Sequence, residues 1–380
     1  MDALDELWWV LAAYVVILIF KRDDARLWLL FALVVGLGLA TKVTMLFFGF
    51  GLAAGLLLTP ARRHFRAKWI WFGGAIAFAF LVPYVLWNAG NGWPTPEFFA
   101  NYEGSDGPSE FLFGQILGMN PLTLPLSLAG LWFYFAIQGG RPFRALGWAF
   151  VILLVVFTFL GAKAYFLSPA YPMLFAGGAV VVERLGGRTG RLVKPLYVVL
   201  LLVSGLLLAP LAMPILPPAT FANAYSFMSD TGDASAGQEG EGVYPQYLGD
   251  RFGWGTMTQT VTSVYDDLPA TERSRACIFT ANYGEASALN FLGEQYGLPS
   301  AISGHNSYYL WGPGGCTGEV MITVGLARGE VERGYAGIER AAINTCRYCV
   351  LEEENGAPVY VATKPKAPIA TLWPHTKHYE

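Results

Sequence analysis

A polytopic α-helical membrane protein carrying an α/β domain at its C-terminal end is the fold class this sequence predicts, on three observations. Of 380 residues, 54% are hydrophobic and only 14% are charged, which is too apolar for a soluble chain of this length. Apolar runs at about 7–20, 27–41, 43–58, 69–87, 120–138, 145–160, 165–182 and 195–213 alternate with short polar hinges. Each lies near the ~17 to 25 residues that cross hydrocarbon as a helix. Polarity is also unevenly spread: residues 1–214 hold 15 Lys/Arg and 10 Asp/Glu, and residues 215–380 hold 10 and 18. The expected division is a transmembrane region of about eight helices over 1–214 and an extracytoplasmic α/β domain over 215–380. A net charge of −3 without a long basic run argues against nucleic acid as a partner.

The stretch 27–58 is too long for one crossing, and Gly38-Leu39-Ala40-Thr41-Lys42 reads as a tight turn between two helices. Orientation follows from the basic residues. Lys21, Arg22 and Arg26, then Arg62, Arg63, Arg66 and Lys68, then Arg141 and Arg144, then Arg184, Arg188, Arg191 and Lys194 occupy alternate hinges, whereas the opposite hinges hold only Lys42 and Lys163. The positive-inside bias makes the first set cytoplasmic and places loop 88–119 and the tail on the outer face. Residue 1 then lies outside, beside Asp2, Asp5 and Glu6, and no positive region of a signal peptide precedes the first crossing. Either the first helix inserts with an external N-terminus, or the chain is the rear part of a longer protein.

The outer loop opens with Asn88, Asn91, Gly92, Trp93, Pro94 and Pro96, followed by Phe98, Phe99 and Tyr102 and by the acids Glu97, Glu103, Asp106 and Glu110. Turn formers mixed with aromatics suit an interfacial belt or the wall of a ligand cleft, with Asn88, Trp93 and Glu97 as cleft candidates. In the other outer hinge, Lys163 and Tyr165 precede Pro169 and Pro172, which interrupt the following helix. An ammonium at the edge of hydrocarbon either snorkels or meets an anion. Lys163, with Lys42 on the same side, is thus a candidate for a lipid phosphate, and Tyr165 for a hydrogen bond to it.

In the tail, Met257, Val261, Val264 and Leu268 recur at helical spacing and Pro269 ends the run. Residues 276–280 form an apolar strand candidate. A helix through about Gln295 follows, with Ala286, Leu289, Phe291 and Leu292 as its apolar face, and Val320 to Leu326 is the next strand. No Gly-rich phosphate fingerprint accompanies them. The four cysteines all fall here. On an oxidising face Cys346 and Cys349 are spaced for a local disulfide, or one of them reaches Cys316, while Cys277 reads as a buried small hydrophobe. A lone CxxC with His375 and His378 far from it is a poor zinc site. The loop Ser303 to Gly312 gathers His305, Asn306, Tyr308, Tyr309 and Trp311, which suits sugar contact by stacking or docking on lipid or helices. It offers no nucleophile elbow.

Several of these motifs together resemble the rear helices of bacterial family 39 glycosyltransferases, which are related to protein mannosyltransferases and to the lipid A aminoarabinose transferase. They are the run 37–42, Pro83-Tyr84 through Trp87-Asn88, Asn91-Gly92-Trp93-Pro94, Asn120-Pro121, and Lys163-Ala164-Tyr165-Phe166 with Pro169-Ala170-Tyr171-Pro172. The resemblance covers the first 214 residues; the tail resembles the outer domain of one bacterial subgroup and adds no chemistry of its own. It implies a GT-C architecture in the bacterial inner membrane, a polyprenyl-phosphate-linked sugar as donor, and a lipid, glycan or protein acceptor on the outer face. It also implies that Lys163 and Tyr165 lie near the donor phosphate, with a divalent metal as an optional cofactor; Lys42 joins them as a candidate from its position on the same side alone. The first outer loop, which carries the catalytic acid in such enzymes, has no counterpart here, so Asp2 and Asp5 are not assigned that role. The competing readings are a transporter or flippase gated by its outer domain, and a non-catalytic membrane scaffold with a ligand-binding outer domain.

Overall fold

A computed structural model describes residues 2–101, 107–224, 246–346, 349 and 356–379. Tyr102, Glu103, Asp106, the segment 229–242, Arg347 and Tyr348 lie outside the described residues. The chain forms two compact units, Met1–Gly90 with Ser105–Met213, and Asn91–Gly104 with Pro214–Glu380.

The first unit is a bundle of apolar helices. In chain order come α1 (Asp2–Arg22), α2 (Leu27–Thr41), α3 (Met45–Leu57) and α4 (Lys68–Gly90), then α5 (Pro94–Asn101), which clusters with the second unit. The bundle resumes with α6 (Pro108–Leu117), α7 (Leu124–Phe135), α8 (Arg144–Leu160), α9 (Tyr171–Glu183) and α10 (Gly187–Ala212). Among the described residues, five helical segments are long and apolar enough to cross a membrane: α1, α4, Arg141–Leu160, Ala164–Glu183 and Gly190–Ala212. Two bent pairs raise this to seven if each is one span, and α2 is shorter. Exposed side chains such as Trp71, Phe78 and Leu86 on α4 and Leu196, Leu202 and Leu206 on α10 form the apolar surface that lipid requires.

Packing inside the bundle depends on small residues where backbones meet. The α7 and α9 helices lie against one another, and a Cβ at Gly130 would overlap the Leu174 carbonyl oxygen, as one at Gly178 would overlap that of Leu126. Close backbone approach of this kind is how membrane helices gain van der Waals contact without a hydrophobic driving force. Gly130→Val is therefore expected to cost roughly 1–3 kcal/mol by overpacking, read as a lower midpoint of thermal unfolding of the purified protein in detergent.

Part of the long loop is helical. Pro94 and Pro108 sit in the first turns of α5 and α6, where a fixed φ and a missing N–H are tolerated, and the Gly107 N–H donates to Glu110 Oε2 at 3.4 Å.

The second unit holds α5, α11 (Pro218–Ala224), α12 (Gln246–Gly249), α13 (Trp254–Asp267), α14 (Ala270–Arg273), α15 (Tyr283–Leu292), α16 (Ser307–Trp311), α17 (Arg328–Gly334) and α18 (Ile369–Leu372) around one sheet. Its strands are β1 (Ala276–Thr280), β2 (Ala301–Ser303), β3 (Val320–Val324), β4 (Tyr335–Ile343) and β5 (Pro358–Pro365), in the order β2-β1-β3-β5-β4. β1 pairs in parallel with β2 and β3; β5 is antiparallel to β3 and β4. Alternation along β1 sends Ala276 and Ile278 to a core with Met257 and Val261 of α13 and Leu289 of α15, and sends Cys277 and Phe279 to a second core with Val331, Tyr335 and Trp373. Helices thus cover both faces, which is why β1 is buried along its whole length.

Two expectations for the tail are corrected. Phe291 is 82% exposed, because the apolar stripe of α15 runs through Ala286 and Leu289 and turns Phe291 outward. Cys277 is not a free buried thiol: its Sγ is bonded to Cys316, with the Cα atoms 5.7 Å apart, so Cys346 and Cys349 bond to each other and not to Cys316. The pleat points Cys277 to the face against which the 316 loop packs, a neighbourhood that residue spacing does not encode.

Candidate functional site

One end of the bundle brings together the first turn of α1, the break between α2 and α3, and the 3-10 turn Ala164–Ala170. At the break Lys42 leaves the helical conformation, with φ −155° and ψ 132°, while its N–H donates to the Gly38 carbonyl at 2.8 Å. Its ammonium pairs with Asp2 and lies 5.4 Å from the Tyr165 ring centroid and 5.5 Å from that of Phe166. The Lys42 side chain is 22% exposed and that of Asp2 is 73% exposed. The cation is therefore largely shielded, whereas its counter-ion is mostly exposed.

Three acids of α1 converge on this end. Asp5 is buried, accepting from Trp9 Nε1 at 3.1 Å on one oxygen and from Thr44 Oγ1 at 2.7 Å on the other. This carboxylate ties α1 to the start of α3 and so fixes the turn that carries Lys42. Glu6 accepts from Ser168 Oγ at 3.2 Å, which joins α1 to the 3-10 turn, and Trp8 Nε1 donates to Thr41 Oγ1 at 3.1 Å. Behind the turn, Gln115 Nε2 donates to the Ala164 carbonyl at 2.9 Å, and Tyr171 OH donates to Gln115 Oε1 at 3.3 Å. Thr44→Val removes a donor from a buried carboxylate, which typically costs about 1.5–3 kcal/mol. A reduced unfolding midpoint in detergent, restored by Thr44→Ser, is the expected result.

Of the residues singled out in the sequence, the structure joins Lys42 and Tyr165 and places Lys163 at the entry to the same turn, where its carbonyl accepts the Phe166 N–H at 3.0 Å. Asn88 is buried within α4 and donates to the Tyr84 carbonyl at 3.1 Å. Trp93 is exposed at a positive φ of 62° just before α5.

Glu97 and His305 belong to the second unit, where neighbouring residues near the C-terminus contact both. Lys377 Nζ lies 2.6 Å from Glu97 Oε2, and the His378 ring stacks on that of His305 at 4.6 Å. The Glu97 carboxylate holds the Lys377 ammonium above its ordinary 10.5. A raised folded-state value makes this tie fully present below 10.5 and lost as the pH climbs through the folded value.

Sequence reasoning named Asp5, Glu6 and His378 without giving them these partners, and it singled out neither Thr44, Ser168 nor Lys377. The available signal was three acids opening an otherwise apolar helix on the same side as both isolated lysines. Among the described residues, no group of three or more His, Cys, Asp or Glu gathers as a metal would require.

The comparisons with known proteins bear on this end of the bundle. A family model described as dolichyl-phosphate-mannose-protein mannosyltransferase matches residues 1–87. The match spans α1 to α4 and includes Asp2, Asp5, Lys42 and Thr44; the 3-10 turn with Tyr165 lies beyond it. No curated protein and no solved structure matches the chain. A multi-pass bundle and this partial match agree with membrane glycosyltransferase chemistry at the level of the GT-C superfamily.

Proposed function

We propose that this chain takes part in sugar transfer from a polyprenyl-phosphate-linked donor to a lipid, glycan or protein acceptor at the outer face of a bacterial inner membrane. The observation that carries the reading is the shielded Lys42 ammonium between Asp2 and the rings of Tyr165 and Phe166, within the stretch matched by the mannosyltransferase model. As the glycosidic bond breaks, negative charge grows on the departing phosphate, and a preorganised cation in a water-poor setting stabilises that charge far more than water does. Lys42 supplies the charge, Tyr165 a hydroxyl at its edge, and Lys163 a second cation on the same turn. Asp2 is the counter-ion that the phosphate displaces, and Asp5 keeps the turn in place.

The test is transfer from a radiolabelled polyprenyl-phosphate hexose by membranes containing the protein. Tyr165→Phe should lower transfer several-fold through loss of one hydrogen bond, about 1–1.5 kcal/mol; unchanged rates would remove Tyr165 from the site. Sidedness has its own measurement. All four cysteines are in disulfides, so Ser300→Cys, at an exposed position, gives a single reactive thiol. It should react with an impermeant maleimide from the periplasm, and reaction only from the cytoplasm would end the outer-face reading.

A further inference from the structure

Between α3 and α4 the chain turns sharply and lays a short basic helix across one end of the bundle. The 3-10 helix Pro60–Arg66 is bent by 110° from α3, so a crossing α3 leaves it close to the membrane plane. With three residues per turn its side chains fall in three lines. Ala61 and His64 form the line that faces the bundle. His64 is buried, its Nδ1 accepts from Trp28 Nε1 at 3.4 Å, and its ring lies 5.5 Å from that of Phe20. Arg63 and Arg66 form the second line, and Arg62 and Phe65 the third; all three arginines are exposed.

Charge at this end is one-sided. Residues 21–26 and 62–68 together hold seven Lys/Arg against two acids, Asp23 and Asp24. Asp23 pairs with Arg63 at 2.7 Å, which brings the two hinges together, and Asp24 Oδ1 accepts the Arg26 N–H at 2.9 Å. Among the described residues no carboxylate pairs with Arg62 or Arg66. Their guanidinium forks, whose geometry matches a phosphate, therefore face outward without a counter-ion. The surface beside them is apolar and aromatic. Trp71 Nε1 donates to the Phe65 carbonyl at 2.9 Å and the two rings lie 6.3 Å apart, which fixes the 3-10 helix to the first turn of α4. Lys68 Nζ is 5.2 Å from the Trp69 ring centroid. Trp71, at 66% exposure, and Phe72, at 55%, then begin the exposed apolar face of α4. Cations thus border a surface made for hydrocarbon, with tryptophan at the junction, as where lipid headgroups meet their acyl chains.

We propose that the 3-10 helix Pro60–Arg66 and the start of α4 form a binding site for an anionic glycerophospholipid, its phosphate held by Arg62, Arg66 and Lys68 and its acyl chains lying along Trp71 and Phe72. Charge complementarity selects the lipid class: a zwitterionic headgroup brings an ammonium towards the same cations, and a net negative one does not. A free phosphate would meet the same guanidinium groups but leave the apolar face uncovered. The proposal is independent of the transferase reading and of which side of the membrane this end occupies.

The test uses the purified full-length protein in a non-ionic detergent, with phosphatidylglycerol as the probe and phosphatidylcholine of the same acyl chains as the comparison. Phosphatidylglycerol should bind saturably in native mass spectrometry and raise the unfolding midpoint more than phosphatidylcholine does. Arg62→Gln combined with Arg66→Gln should weaken that binding roughly 30-fold, the effect of two cations at a charged surface, and leave the lipid-free midpoint unchanged. Arg188→Gln combined with Arg191→Gln removes two exposed cations at the start of α10 and should leave binding as it was. Equal binding of the two lipids, or equal loss in the two double variants, would overturn the site. An equal shift from glycerol phosphate would also overturn it, by marking a site for a free anion. If the Arg62 and Arg66 pair lowers the lipid-free midpoint, the deciding measurement is photocross-linking of the unaltered protein by phosphatidylglycerol with a diazirine in an acyl chain. Label concentrated at the start of α4 supports the site, and label spread evenly over α4 and α10 overturns it.

Discussion

Lys42→Ala is expected to lower sugar transfer by about 100-fold or more, the usual consequence of deleting one preorganised charge that acts on a departing anion. The loss should fall on kcat, because the phosphate ester of the bound donor carries less charge than the phosphate leaving in the transition state. Lys42→Arg should restore part of the rate, since a guanidinium keeps a cation against both rings. Folding should change little, because the Asp2 carboxylate left behind is mostly solvated. Normal transfer by Lys42→Ala, in membranes with normal protein levels, would remove the phosphate role from this end of the bundle.

The second large effect concerns stability. Joining Cys277 to Cys316 closes a loop of sequence separation 39, and removing such a link releases chain entropy worth about 4 kcal/mol on the loop-closure model. The Cys346–Cys349 bond spans a separation of only 3 and should contribute about half as much on the same model. Replacing both Cys277 and Cys316 by Ala is therefore expected to lower the unfolding midpoint of the second unit well beyond the shift from replacing both Cys346 and Cys349. Near-ultraviolet circular dichroism, with thiol titration to confirm which bonds persist, measures the difference. Equal shifts would mean that strain or residual structure in the unfolded chain outweighs loop length.

The helices were legible because lipid imposes a single rule, that backbone groups pair within the segment, so apolar length alone locates them. The break at Lys42 was legible for a related reason: one helix of that length would overrun the bilayer. β1 and β3 could be read as compact apolar runs. By contrast β2 has only three residues, and β4 carries Glu339 and Arg340 on an edge strand where one side meets water, so neither has the continuous apolar signature. The candidate site was half legible. An isolated lysine in an otherwise uncharged hinge marks itself, whereas the pairing of Asp5 with Thr44 across a separation of 39 is produced by helix packing and has no local signature. The same holds for Cys277, whose partner is chosen by the pleat of the sheet.

The grouping of Asn91–Gly104 with the C-terminal unit has a practical consequence for anyone isolating that unit. A fragment beginning at Pro214 leaves behind a piece of its own domain, including the carboxylate that meets Lys377. A faithful soluble version would need the α5 stretch grafted back, for instance as a fused leader, and binding studies on the shorter fragment would be performed on an unfinished surface.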